Sequence, residues 1–124
     1  MALILIVDDN PDVARSLAML IDCLDHQGVC VHSGRAALEF LQSSTPDLLI
    51  LDQMMPEMDG LQVLQQLRSD PRWSRLPIVM FSAVSDARLQ EQARRSGAND
   101  FWIKGSFDFQ QLKRNLDRHL TPAN

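Results

Sequence analysis

The chain has 124 residues, 45% of them hydrophobic and 23% charged, a composition typical of one globular domain with a sizeable core. Its net charge of −4 provides no basic surface, so direct binding to nucleic acid or to an anionic membrane is not expected. The apolar run at residues 2–7 is too short to span a bilayer and lacks the features of a signal peptide. The spacing of Cys23 and Cys30 suggests no metal site, and we expect reduced, partly buried thiols in a cytoplasmic protein.

Short apolar runs alternate with segments of helical periodicity along the whole chain. Aliphatic runs of four or five residues are typical of strands buried on both faces of a parallel sheet, whereas apolar residues three and four apart indicate helices. In chain order the pattern predicts strand 3–7, a helix from 11 to about 26, strand 29–32, a helix from 34 to about 45, strand 48–51, a helix beginning at 60, loop 69–76, strand 77–81, a helix at about 86–96, strand 101–103 and helix 109–120.

This alternation predicts an α/β fold, a doubly wound sandwich of five helices around a five-stranded parallel sheet. We expect one domain over residues 1–124, with a core of about 3–120 and no output domain. The fourth helix has only Leu89 and Ala93 as clear apolar positions and should be the most loosely held. The last helix is expected to end at Thr121-Pro122 and to turn four residues inward: Phe109, Leu112, Leu116 and Leu120.

The candidate functional residues stand directly after four of the five predicted strands. Because the carboxyl ends of parallel strands share one edge of a sheet, these residues are expected to meet in one crevice. Crowded carboxylates repel one another, and a hard divalent cation such as Mg²⁺ relieves that repulsion. A lysine suits a phosphoryl group, and an aspartate can act as a nucleophile that forms an acyl phosphate. The residues are Asp8 and Asp9 after the first strand, Asp52 after the third, Ser82 after the fourth and Lys104 after the fifth.

Each of these residues also has an ordinary structural interpretation. Asp52 alone could end a strand and cap a turn. Asp8 or Asp9 could solvate a loop, Ser82 could be a turn hydroxyl and Lys104 a surface amine. Their occurrence together, each at the end of a strand, favours the functional interpretation.

Four segments also carry a family resemblance: residues 6–9 (IVDD), 52–60 (DQMMPEMDG), 77–83 (PIVMFSA) and 97–104 (GANDFWIK). On these segments, and over nearly everything from residue 3 to 120, the chain resembles a CheY-like receiver domain of response regulators. Such domains are the phospho-acceptor half of two-component signalling. The resemblance implies a flavodoxin-like strand order of 2-1-3-4-5. It also implies a signalling protein whose only catalysis is its own phosphorylation and dephosphorylation.

The resemblance further implies that Asp52 accepts a phosphoryl group from a histidine kinase or phosphotransfer protein with Mg²⁺, or Mn²⁺, as cofactor. The metal would be held by Asp9, by Asp52 and by the backbone carbonyl of Met54. Asp8 would hold a metal-bound water, and Lys104 would pair with the phosphoryl group.

The same resemblance implies a switch, in which Ser82 swings towards the phosphoryl group and Phe101 turns inward behind it. This would change the surface made by the fourth helix, fifth strand and fifth helix, which an unknown downstream protein would recognise. The protein would act as a monomer or as a phosphorylation-dependent dimer.

Three departures from the family pattern lead to separate expectations. Gly105 stands where the family usually has a proline after a cis bond. We expect a trans Lys104–Gly105 bond, because a non-proline cis bond costs about 2.5–4 kcal/mol. Met54 and Val84 lie where the family tunes dephosphorylation, and neither side chain can orient water by hydrogen bonding, so we expect a long-lived phosphoryl-aspartate. Trp102 is bulkier than usual and is expected to fill the core or to cover the edge strand, with a contact to a partner protein as the alternative.

Two other classes of function remain open from the sequence. A receiver-like interaction module could work without phosphorylation, although the complete set of acids, serine and lysine argues against it. An enzyme on the same fold class could be an aspartate-based phosphatase, but that would need two aspartates one residue apart, and Asp8 and Asp9 are adjacent. A nucleotide-binding reductase would need G-x-G-x-x-G after the first strand, and that stretch has no glycine.

Overall fold

The computed structural model describes residues 1–84, 86–105 and 108–120. Within these residues, strands and helices alternate along the chain. The strands are β1 (Leu3–Val7), β2 (Gln27–Val31), β3 (Leu48–Asp52), β4 (Ile78–Ser82) and β5 (Asp100–Ile103). The helices are α1 (Pro11–Cys23), α2 (Gly34–Ser43), α3 (Gly60–Arg68), α4 (Ala87–Arg95) and α5 (Phe109–Leu120).

The sheet has the strand order β2-β1-β3-β4-β5, and all neighbouring strands are parallel. Every residue of β3 and β4 is buried, because helices cover the centre of the sheet on both faces. Side chains of α2, α3 and α4 pack into one hydrophobic cluster, and those of α1 and α5 pack into a second on the other face. The predicted fold class and strand order are therefore confirmed.

Helix α1 ends at Cys23, three residues before the predicted end at about His26. Asp25 takes a left-handed conformation with φ of 66°, and the backbone N–H of His26 donates to the carbonyl oxygen of Ile21 at 3.2 Å. Aspartate tolerates this conformation better than most residues. The turn lets β2 begin at Gln27, two residues earlier than predicted.

Three smaller expectations are wrong. Phe109 is 42% exposed rather than inward. Helical side chains tilt towards the N-terminus, so the side chain of this first residue of α5 extends beyond the turns that pack against the sheet. Both thiols are free and Cys30 is half-buried, as expected, but Cys23 is exposed on the last turn of α1 rather than partly buried. The predicted loop at 69–76 contains a 3-10 turn, Pro71–Trp73, which Asp70 caps by accepting from the backbone N–H of Arg72. The predicted helix end at Thr121-Pro122 lies outside the described residues.

Trp102 fills the core between β5 and α5, as expected, and is 4% exposed. Its Nε1 donates to Asp100 Oδ2 at 3.0 Å, and His119 Nε2 of α5 lies 2.9 Å from the same oxygen. Burial acts to raise the pKa of Asp100, but the hydrogen bonds with His119 and Trp102 outweigh burial and hold that pKa below its usual value. This network joins the edge strand to the last helix.

Helix α4 buries one side chain, Ala93, of the residues that make up the helix. At its surface, Glu91 forms ion pairs with Arg94 and Arg95. Exposed ion pairs of this kind contribute little to stability. The loose anchoring of α4 remains a prediction, although the sparse burial is consistent with it.

Candidate functional site

The carboxyl ends of β1, β3, β4 and β5 lie side by side at one edge of the sheet, because these strands are parallel and adjacent in the order β1-β3-β4-β5. Asp8 directly follows β1, and Lys104 directly follows β5. Asp52 and Ser82 are the last residues of β3 and β4. The fold therefore brings together the strand-end residues that the sequence singled out.

Lys104 forms ion pairs with two carboxylates of this crevice. Its Nζ lies 2.8 Å from Asp8 Oδ2 and 3.0 Å from Asp52 Oδ1. The two carboxylates are almost fully buried, with Asp8 at 0% and Asp52 at 2% exposure, whereas the lysine side chain is 21% exposed. The backbone N–H of Lys104 donates to the carbonyl oxygen of Ser82 at 2.7 Å, which fixes the lysine beside β4.

Burial is the largest single influence on the pKa of each of the two central groups, but it decides the direction of the shift only for Asp52. It raises the pKa of Asp52 to about 6, against the lowering effect of the hydrogen bond with Lys104. Burial acts to lower the pKa of Lys104, but its bonds with Asp8 and Asp52 outweigh burial, and the pKa is raised. The lysine therefore remains protonated at neutral pH. Its single positive charge faces the carboxylates of Asp8, Asp9 and Asp52.

The acidic residues of the crevice have the donor chemistry of a divalent metal site. One carboxylate oxygen from each of Asp8, Asp9 and Asp52 lies within 4.8 Å of the others. Asp9 is exposed, so the cluster is open to solvent on one side. Hard oxygen ligands with open positions fit Mg²⁺, which keeps several waters and completes its shell with phosphate oxygens. The residues present therefore fit the metal that the sequence analysis expected.

The remaining candidate residues lie around the acidic cluster in different environments. Ser82 is fully buried, and its Oγ accepts a hydrogen bond from the backbone N–H of Val84 at 3.1 Å. The backbone N–H of Met54 lies 3.4 Å from Asp52 Oδ1, and both the Met54 and Val84 side chains are exposed, at 67% and 53%. Phe101 is half-buried against the hydrophobic cluster under α2, α3 and α4.

The loop after Lys104 agrees with the expectation for the missing proline. No peptide bond is cis in the part of the chain that the structure describes, so the Lys104–Gly105 bond is trans. Gly105 has a φ of +75°, a conformation that glycine adopts without strain.

Gln53 is a residue of the site that the sequence analysis missed. It lies between Asp52 and Met54, is 7% exposed, and uses its side-chain oxygen to accept from the backbone N–H of Leu61 at 2.9 Å. The sequence shows only that a polar residue directly follows the buried strand β3. It does not show which backbone group the glutamine side chain binds.

A comparison with protein families identifies the chain. The model of the response regulator receiver domain matches residues 4–117. The chain belongs to the response regulator receiver domain family. As a receiver domain it is a signalling module rather than a classical enzyme.

Individual relatives agree with the family match. The regulatory protein AtoC of Escherichia coli is 35% identical over 117 residues, which cover 94% of this chain and 25% of AtoC. The receiver domain of a signal transduction histidine kinase from Syntrophus aciditrophicus superposes with a TM-score of 0.88 at 33% identity, covering 98% of this chain and 91% of that domain. The phosphorylated cyanobacterial phytochrome response regulator RcpA superposes with a TM-score of 0.87 at 27% identity, covering 99% of this chain and 96% of RcpA. This receiver therefore spans a quarter of the length of AtoC.

No helix among the described residues is both long and apolar enough to cross a bilayer.

Proposed function

We propose that Asp52 of this receiver accepts a phosphoryl group from a histidine kinase or a phosphotransfer protein in a Mg²⁺-dependent reaction. The observation that carries the proposal is the position of Lys104, whose Nζ lies 3.0 Å from Asp52 Oδ1 in a crevice with three carboxylates. Homologous receivers support it, since the similar receiver of RcpA is described in its phosphorylated form.

In the proposed reaction an Oδ atom of Asp52 attacks the phosphorus of a phosphohistidine. The P–N bond breaks, a P–O bond forms, and the departing imidazole nitrogen takes up a proton. Lys104 would balance the negative charge of the transferring group from its position beside Asp52. Mg²⁺, or Mn²⁺, would supply further positive charge when bound by Asp9, Asp52 and the carbonyl of Met54, with Asp8 contacting it through a water.

The signal would leave the site through Ser82 and Phe101. The Ser82 hydroxyl now accepts from the backbone N–H of Val84, and it would turn to donate to a phosphoryl oxygen. Phe101, half-buried on β5, would then move inward. The sparse burial of α4 supports a change at the surface of α4, β5 and α5, where we propose that a downstream protein binds.

A small phosphodonor tests this function without the kinase. Incubation with acetyl phosphate and Mg²⁺ should add one phosphoryl group to the protein, and EDTA should prevent the addition. A wild-type protein that stays unlabelled would contradict the proposal and favour a receiver-like interaction module that works without phosphorylation.

Met54 is expected to control how long the phosphoryl group persists. Its apolar side chain cannot orient an attacking water, and it is 67% exposed beside Asp52. Replacing it with asparagine should accelerate hydrolysis of the phosphoryl-aspartate severalfold, because the amide can position a water. Loss of the phosphoryl group followed by intact mass spectrometry measures the rate, and Met19→Asn is the control, since Met19 is 61% exposed on α1. Rapid decay of the wild type that Met54→Asn leaves unchanged would contradict this expectation.

The other expectations from the sequence stay predictions. They are the single receiver domain over residues 1–124, the cytoplasmic location, the absence of direct nucleic-acid and membrane binding, and the monomeric or phosphorylation-dependent dimeric state.

A further inference from the structure

We propose that Gln53 is a positioning residue that holds the loop between β3 and α3 in the shape that the metal site requires. This inference rests on the proposed function, in which the carbonyl of Met54, the next residue, is a metal ligand. Gln53 would act through its contacts with α3 and would not itself bind the metal.

Gln53 binds the start of α3 at two points. Its backbone oxygen accepts from the N–H of Gly60 at 3.0 Å, and its side-chain Oε1 accepts from the N–H of Leu61 at 2.9 Å. The next N–H, of Gln62, is capped separately by Asp59 Oδ1 at 2.9 Å. The first N–H groups of a helix have no partner within it, so one residue outside α3 satisfies two of them.

The helix start is also packed directly onto the end of β3. A Cβ atom on Gly60 would lie 2.5 Å from the carbonyl oxygen of Asp52 and 2.9 Å from the Cα of Gln53, which leaves space for glycine alone. On the other side, the N–H of Gln53 donates to the carbonyl oxygen of Phe81 at 3.4 Å. The residue is therefore held at its N–H, its carbonyl oxygen and its side chain.

These contacts determine the orientation of the peptide that leads into Met54. With Gln53 7% exposed and bound on three sides, rotation about its backbone would break at least one contact to α3 or β4. Fixing Gln53 fixes the plane of the peptide that it shares with Met54, and the Met54 N–H of that peptide lies 3.4 Å from Asp52 Oδ1. Gln53 therefore sets the position from which the Met54 carbonyl projects. Replacing a residue that orients a metal ligand from outside the coordination shell typically lowers metal affinity by about 10–100-fold.

If Gln53 had a merely structural role, replacing it would lower the stability of the protein without changing its affinity for Mg²⁺. A pair of glutamine variants separates this role from the positioning role. Gln53→Met and Gln62→Met each replace a glutamine whose side-chain oxygen accepts from a backbone N–H at the start of α3 with an apolar side chain of similar length. Gln62 is exposed, and its side-chain Oε1 and its backbone N–H both form hydrogen bonds with Asp59, each at 2.9 Å. Both variants lose one hydrogen-bond acceptor at the same helix end.

Titration calorimetry with Mg²⁺ measures the effect on the unphosphorylated protein. We expect Gln53→Met to weaken Mg²⁺ binding by about tenfold and Gln62→Met to leave it unchanged. Equal affinities for Gln53→Met and the wild type would overturn the positioning role while leaving the proposed function intact. A wild type that binds no Mg²⁺ would instead contradict the metal site of the proposed function, and the positioning role with it.

A measurement on the wild-type protein decides the question if Gln53→Met fails to fold. Coupling between two sites is reciprocal. If the hydrogen bond from Leu61 to Gln53 favours Mg²⁺ binding, then bound Mg²⁺ must stabilise that hydrogen bond. Saturating Mg²⁺ should therefore slow amide hydrogen exchange at Leu61 more than at Gln62. Exchange at Leu61 that Mg²⁺ slows no more than at Gln62 would overturn the inference.

Discussion

Replacing Lys104 with methionine should lower the free energy of unfolding by about 3 kcal/mol at pH 8 without Mg²⁺, as expected when a buried ion pair loses one partner. In the wild type, Lys104 Nζ forms ion pairs with two carboxylates, at 2.8 Å from Asp8 Oδ2 and 3.0 Å from Asp52 Oδ1. Methionine preserves most of the apolar length of lysine and removes the ammonium group with its charge and its hydrogen bonds. The two buried carboxylates would then face each other without compensation, and urea denaturation would report the loss.

Lys113 provides the matched control for this prediction. It is the other lysine of the chain, and it lies exposed on α5. Lys113→Met should leave the free energy of unfolding little changed, since surface substitutions rarely affect stability. If both variants lost the same stability, Lys104 would not be the cation that stabilises the crevice.

Replacing Arg68 with methionine should also cost about 3 kcal/mol of unfolding free energy, from three hydrogen bonds at about 1 kcal/mol each. Its Nε donates to the carbonyl oxygen of Gly97 at 3.0 Å, and its Nη1 donates to that of Trp73 at 2.6 Å. Its Nη2 donates to Asn99 Oδ1 at 2.9 Å. Burial lowers the pKa of this guanidinium, which is the sign of a partly desolvated cation. Arg68 thus joins the end of α3 to the 3-10 turn and to the turn between α4 and β5.

Arg72 is a suitable control because it is an arginine that binds a carboxylate at the surface. Its Nη2 lies 2.8 Å from Asp70 Oδ2, and its side chain is 66% exposed. Exposed ion pairs of this kind are worth little, so Arg72→Met should be far less destabilising than Arg68→Met. Urea denaturation of the two variants compares them directly. Equal losses would show that the three contacts of Arg68 do not contribute as proposed.

The sequence predicted the parts of the site that depend on topology. Asp8 and Lys104 are distant in the chain, yet both were placed in one crevice because each directly follows a strand. Apolar runs identify strands, and parallel strands collect their carboxyl ends at one edge. Ion pairing of Lys104 with two acids then follows from the shared location, although the distances do not.

The sequence did not predict contacts that depend on side-chain reach. Arg68 bonds to residues 29 and 31 positions away, and an arginine at the end of a helix carries no signal for such partners. Gln53 was missed for the same reason, since its partner depends on how closely α3 approaches β3. Phe109 was misplaced because periodicity gives the face of a helix but not how far its first turn extends beyond the core.

The most direct test of the central claim is to find the phosphoryl group and identify its bond. Wild type, Asp52→Asn and the control Asp25→Asn would be incubated with acetyl phosphate and Mg²⁺, analysed by intact mass, and then treated with hydroxylamine, which cleaves acyl phosphates but not phosphoserine. Asp25 is exposed on the turn after α1, where asparagine adopts the same backbone conformation. We expect one hydroxylamine-sensitive phosphoryl group on wild type and Asp25→Asn, and none on Asp52→Asn. An adduct that persists on Asp52→Asn or survives hydroxylamine would contradict the assignment of Asp52 as the phosphoacceptor.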